Sequence, residues 1–183
     1  MRLRDTTGGY GLVTRMAHWI VAVLFFFLFA LGYWMVELDY YSPYYSSAPD
    51  LHKSLGILTL LLLVGRFIWV ALNVHPSMHE LSRGERITAA IVQWSFYPLI
   101  FAICVSGYLI STSDGRAIDV FGLFSLPAIL IDKDMTDTAG LAHKWLAYLT
   151  TGLAALHTTA ALKHHFWDRN SVLKRMVSGP GPH

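Results

Sequence analysis

The chain has 183 residues, 54 % of them hydrophobic and only 14 % charged, with a formal charge of +2. The length suits one domain, and the apolar excess reads as an integral membrane protein with no bulk charge for nucleic acid. Its single cysteine, Cys104, excludes a disulfide within the chain, and the lack of C-x-x-C-H excludes c-type haem attachment.

Four apolar runs follow in order: Ala17–Val36, Leu51–Leu72, Ile87–Ile110 and Leu141–Leu162. Each is near the roughly 20 residues that cross the hydrocarbon core as a helix. The first follows Arg2, Arg4 and Arg15, as a signal peptide would. It is too long for a cleavable core and lacks an A-x-A site, so it reads as a retained span. Tyr33, Trp34, Tyr40, Tyr41, Tyr44 and Tyr45 form an interfacial aromatic belt at its far end. Pro43 and Pro49 then break the helix, and Asp50 is the expected N-cap of the second span. Pro98 should kink the third span or need local accommodation. Residues 111–139 form the longest loop, whose apolar stretch Val120–Ile131 is too short to span and either lies in the interface or caps the bundle. The tail is basic and ends in Gly-Pro-Gly-Pro.

The expected fold is therefore an all-α, four-helix transmembrane bundle, a single domain over residues 1–183. Ten Lys and Arg fall on the side of the termini: Arg2, Arg4, Arg15, Arg66, Arg83, Arg86, Lys163, Arg169, Lys174 and Arg175. The other side has four, Lys53, Arg116, Lys133 and Lys144, so both termini are expected in the cytoplasm.

Histidines carry the chemistry. Ionisable side chains inside a spanning helix are costly and point to function. The last span holds His143 and His157, fourteen residues apart. That spacing is about 21 Å of helical rise on nearly one face. Topology puts His18 at the depth of His157 and His52 at the depth of His143. Each pair suits the two axial positions of a haem iron, whereas structural zinc wants about four ligands at one point. The plainer reading, helix–helix hydrogen bonds, accounts less well for two depth-matched pairs. Arg66, fourteen residues after His52 on the same face, either meets a haem propionate or snorkels to the interface. Lys53, Lys144 and Arg15 adjoin ligand positions and are further propionate candidates, or are simply solvated. Gly56, Gly65, Gly107 and Gly152 leave room for a flat macrocycle, a weak signal because glycine is common in membrane helices. His164 and His165, beyond His157, are the candidates for a quinone site, competing with an ordinary amphipathic helix end. His75 and His79 lie in a loop and receive no role.

The segments RMAHWI around His18, DLHKSLGIL around His52, LAHKWLA around His143 and GLAALHTTAALKHHFWDRNSVLKRM from Gly152 resemble the bacterial cytochrome b561 family over nearly the whole chain. These are small four-helix, di-haem b membrane proteins that include the superoxide oxidase. The resemblance implies two b haems, held by His18 with His157 and by His52 with His143. It also implies ubiquinone as redox partner and residence in the bacterial inner membrane. An oxidoreductase of superoxide:ubiquinone type is the activity it suggests. The outer side departs from the basic surface thought to attract superoxide: eight acids face four bases there, a formal −4 that slows an anion's approach.

The expected function is transmembrane electron transfer between a periplasmic donor, unidentified and with superoxide as one candidate, and membrane ubiquinone. The alternative is a haem-bearing anchor subunit of a larger dehydrogenase or hydrogenase, against which the short cytoplasmic loops argue. A transporter is disfavoured, because no intramembrane carboxylate or broken helix pair is apparent.

Overall fold

The structure is a computed structural model that describes residues 2–179; the Gly-Pro-Gly-Pro ending lies outside it from position 180 on. Four long helices dominate: α1 Leu12–Met35, α2 Ser47–Ala71, α3 Arg83–Thr112 and α4 Lys133–Phe166. Between α3 and α4 lies a hairpin of β1 Ile118–Val120 and β2 Phe124–Leu126, and a short helix α5, Val172–Val177, follows α4. α1, α2 and α3 are long and apolar enough to cross a membrane, with mean hydropathies of 2.1, 2.1 and 1.7 over their best windows. α4 is the longest at 34 residues and contains the fourth expected span. It is less apolar because His143, Lys144, His157 and the threonines Thr150, Thr151, Thr158 and Thr159 interrupt its leucines.

The helix ends follow local chemistry. Before α3, Ser82 and Glu85 form a reciprocal capping box, the Ser82 amide donating to Glu85 Oε2 at 3.0 Å and the Glu85 amide to Ser82 Oγ at 3.4 Å. Asp132 caps α4 by accepting from the Met135 amide at 2.8 Å. α2 corrects one expectation: it begins at Ser47, so Asp50 is not its N-cap but lies in its first turn, paired with Lys53 at 2.7 Å. Pro49 is accommodated because the first amides of a helix have no intrahelical acceptor to lose. Pro98 likewise sits inside an unbroken 30-residue α3.

The described chain groups into two compact units, between which it passes inside α1 to α4. The first comprises the chain up to Val21, Leu62–Tyr97 and the chain from Gly152. Within it, Asp5 accepts from the Gly11 amide at 2.7 Å and from Thr14 Oγ1 at 2.8 Å, beside the amide end of α1. The Trp69 indole donates to Thr14 at 3.0 Å, tying the end of α2 to the start of α1. Arg175 on α5 is buried; it donates to Glu80 at 2.9 Å and to the Ser77 carbonyl at 2.6 Å. Glu80 also accepts from the Ser171 amide at 2.6 Å, so the α2–α3 loop and α5 are locked together. Arg15 and the Trp19 indole donate to the Met176 carbonyl, both at 3.3 Å, and Arg15 also reaches the Val177 carbonyl. These are end carbonyls of α5 that no intrahelical amide reaches.

The second unit comprises Ala22–Leu61 and Pro98–Thr151. Here the long loop is shorter than expected, since α4 starts at Lys133, and it is ordered as the hairpin. Ile118 and Val120 are buried with Ile57 of α2, packed by Tyr108 and Leu126. Ser54 of α2 donates to the Asp119 carbonyl at 3.2 Å, and Tyr108 of α3 donates to that of Pro127. The hairpin turn has positive φ at Phe121 and Gly122 and closes with Leu123 N–H on the Val120 carbonyl at 3.0 Å. That is the mirror-image turn whose twist matches two paired strands. Val120 and Leu126, from the apolar stretch Val120–Ile131, thus pack against α2 and α3 within this unit.

Large apolar side chains such as Val23 (64 % exposed), Leu149 (59 %) and Leu156 (69 %) face outward along the helices. Such an arrangement is stable only where the surroundings are themselves apolar.

Candidate functional site

The second unit brings His52 of α2 and His143 of α4 together, ring centroids 6.3 Å apart and ring planes inclined at 71°. His143 Nδ1 donates to the Ile103 carbonyl of α3 at 2.9 Å, with Ser106 Oγ at 3.3 Å. A carbonyl only accepts, so the hydrogen is on Nδ1 and the lone pair on Nε2. That backbone bond is the usual means by which a metal-ligating imidazole is oriented. His52 Nδ1 is buried without a hydrogen-bond partner among the described residues. Glycines set the depth of both rings. A Cβ at Gly32 would come within 3.0 Å of His52 Cε1, and one at Gly107 within 3.0 Å of His143 Cε1.

These features fit an iron between the rings. With metal–nitrogen bonds of about 2 Å on each side, the two ring centres are roughly 6 Å apart. Gly56, Gly65 and Gly152 face open space, where a Cβ would meet nothing within 4 Å. Gly107, grouped with them in the sequence, lies against the His143 ring. Neither Gly32 nor the Ile103 carbonyl is marked in the sequence. A glycine among leucines carries no pattern, and a backbone acceptor has no side-chain signature.

The first unit holds His18, His157 and Arg66. His18 packs edge-on against Trp19 with centroids 5.2 Å apart, and His157 against Phe96 at 5.7 Å. The Arg66 guanidinium donates to the Tyr97 hydroxyl, lies 5.4 Å from the centre of that ring, and keeps its Nε buried without a partner. A half-buried guanidinium with an unsatisfied Nε fits a carboxylate-bearing ligand, and Tyr97 is the partner that sequence reading missed.

The remaining candidates are placed otherwise. Arg15 is engaged with the α5 carbonyls, Lys53 with Asp50, and Lys144 is exposed. Lys53, Asp50, Ser54, Arg116, Tyr45 and Phe121 are among the residues lining a cavity of about 540 Å³ in the second unit. Arg116 is paired with Asp114 at 2.5 Å, so both cations of this cavity have a carboxylate partner. The Arg116 guanidinium, chiefly by its hydrogen bond, holds the Asp114 carboxyl below the usual carboxylate range.

At the end of α4, His164 Nδ1 lies 2.7 Å from Asp168 Oδ2, and His165 stacks edge-on with Phe166, centroids 4.8 Å apart. Ligand atoms of Glu85, His164 and Asp168 lie within 4.8 Å of one another. Lys163 Nζ sits among them, 2.8 Å from Asp168 and 3.7 Å from Glu85. An ammonium there makes the group an ionic network rather than a metal centre.

The chain is 44 % identical over 179 residues to cytochrome b561 homolog 2 of Escherichia coli (strain K12), covering 97 % of this chain and 95 % of that protein. It is 28 % identical over 163 residues to the probable superoxide oxidase CybB of Yersinia pestis, covering 87 % and 90 %. The model of the prokaryotic cytochrome b561 family matches residues 9–179. With its long apolar helices and paired imidazoles, the chain belongs to the prokaryotic cytochrome b561 family, multi-pass membrane cytochromes that carry electrons on haem b.

Proposed function

We propose that the protein conducts electrons across the bacterial inner membrane through two b haems, from a periplasmic donor to ubiquinone. α1 to α4 act as a four-helix bundle with both termini in the cytoplasm. His52 with His143 hold one haem and His18 with His157 the other. The observation that carries this reading is the division of the four histidines two and two between the units, with one pair at a ring spacing that suits an intervening iron. Bound haem supplies the one-electron chemistry, and the chain supplies ligation, orientation and exclusion of water. His143 is oriented by Ile103, Arg66 offers a guanidinium to a propionate, and lipid-facing side chains keep the path dry.

On the donor side, the cavity beside His52 is the point of approach. Its cations are each paired with a carboxylate, which favours a neutral or cationic reductant over superoxide. On the acceptor side, His164 and His165 at the end of α4 meet the quinone headgroup.

The test is the optical spectrum of the purified protein, oxidised and dithionite-reduced, with haem quantified per chain. Two low-spin haems are expected. His143→Ala should remove one and His157→Ala the other. A single haem per wild-type chain would refute the reading.

A further inference from the structure

The end of α4 carries a contact that electron transfer alone does not use. After Phe166 the chain turns back. The Asp168 amide donates to the Lys163 carbonyl at 3.2 Å, the Asn170 amide to that of His164 at 3.0 Å, and Arg169 takes a left-handed φ of 53°. This turn folds Asp168 over the last helical residues and sets its Oδ2 2.7 Å from His164 Nδ1. The charged groups around the ring are Asp168, Lys163 beside it in α4, and Glu85 from the first turn of α3. Glu85 is held by its capping bonds to Ser82, and Lys163 lies between the two carboxylates. Among these groups, Asp168 is the one at hydrogen-bond distance from the His164 ring.

A carboxylate only accepts. The hydrogen facing Asp168 is therefore on Nδ1, and Nε2 is the nitrogen left for a ligand. The geometry points to Asp168 as a positioning residue that fixes the tautomer and orientation of His164, so that Nε2 exchanges a proton with a quinone oxygen. This rests on the reading of His164 as part of the quinone site. Conversion of a quinone to its quinol takes up two electrons, delivered by the haem path, and two protons. In the doubly protonated ring, the Nε2–H bond breaks, an O–H bond forms on the quinone, and the lone pair stays on Nε2. Nδ1–H remains on Asp168 throughout. Water then returns a proton to Nε2, and the ring serves again for the second.

The test is a double-mutant cycle on the full-length, haem-loaded protein. Pre-reduced protein is mixed with a short-chain ubiquinone, and haem oxidation is followed by stopped flow from pH 5.5 to 8.5. His164→Ala and Asp168→Ala are each expected to slow oxidation at least about tenfold with unchanged haem spectra, a floor set below the roughly 10²–10⁴-fold that a positioned acid–base group typically contributes. The double variant should be no slower than His164→Ala alone, Asp168→Ala should alter the pH profile, and Asp168→Glu should restore it. Asp168→Asn, nearly isosteric, replaces alanine if the helix end is disturbed. Slow His164→Ala with a wild-type rate and pH profile in Asp168→Ala would overturn the role of Asp168 and leave the quinone site standing. Additive slowing in the double variant, or an equal loss in Lys163→Ala, overturns it too. A wild-type rate in His164→Ala removes the quinone site and this inference together.

Discussion

Replacing Gly107 with alanine is the most direct test of how His143 is seated. The added Cβ would stand 3.0 Å from His143 Cε1 and 3.2 Å from Nδ1, tighter than ordinary contact. α3 is a continuous helix here, so the backbone resists and the imidazole must move by a few tenths of an ångström. Movement strains the 2.9 Å bond from Nδ1 to the Ile103 carbonyl, on which the ligating tautomer depends. Overpacking of this kind costs about 1–3 kcal/mol. At 1.4 kcal/mol per decade, that is roughly a 5- to 150-fold weaker hold on the haem proposed at the His52–His143 site. The assay is haem retention against a haem-scavenging apoprotein, followed in the Soret band, with the His157 site as internal reference. Gly84→Ala, whose Cβ meets nothing within 4 Å, is the control. Haem retention at the His52–His143 site equal to wild type in Gly107→Ala would refute the seating argument. Equal loss from both sites would point to global misfolding.

Other outcomes follow from the same geometry. On the proposed two-haem reading, Arg66→Gln should weaken retention of haem at the His18–His157 site and spare the His52–His143 site, while Tyr97→Phe should have a smaller effect in the same direction, both read from difference spectra. Thr150→Val should leave thermal stability unchanged or raised, because Thr150 Oγ1 is fully buried and has no hydrogen-bond partner to lose. Glu80 is held below the usual carboxylate range, first by the Ser171 amide and hydroxyl and then by Arg175. A depressed folded-state pKa gives stability that is present above the ordinary carboxylate value and lost as pH falls through the folded one. Amide exchange in α5 should accordingly accelerate as pH drops below about 4 relative to intrinsic rates, and Glu80→Gln should abolish that dependence. Superoxide should reduce the haems slowly and faster with added salt, since Lys53 and Arg116 are each paired. A fast rate that falls with salt and with Lys53→Gln would contradict this.

Sequence alone settled the long helices, because runs of about 20 apolar residues have few alternatives where backbone groups must be satisfied internally. It also selected the histidines. Helical rise fixes the depth of each imidazole once the spans are known, and depth matches them as two pairs. Tertiary structure decided what depends on neighbours from elsewhere in the chain. The Ile103 carbonyl that sets the tautomer of His143 has no side-chain signature, and Gly32 and Gly107 matter only because a ring from another helix lies against them. Arg15 and Lys53 adjoin histidines in the sequence, and their contacts with α5 and Asp50 come from residues that spacing alone does not single out. The 111–139 stretch read as loop because strands of three residues are too short for alternation to register. It is ordered by Ile57, Ser54 and Tyr108, contacts that linear spacing does not encode. Spacing along a helix fixes where a side chain stands, and packing decides which partner satisfies it.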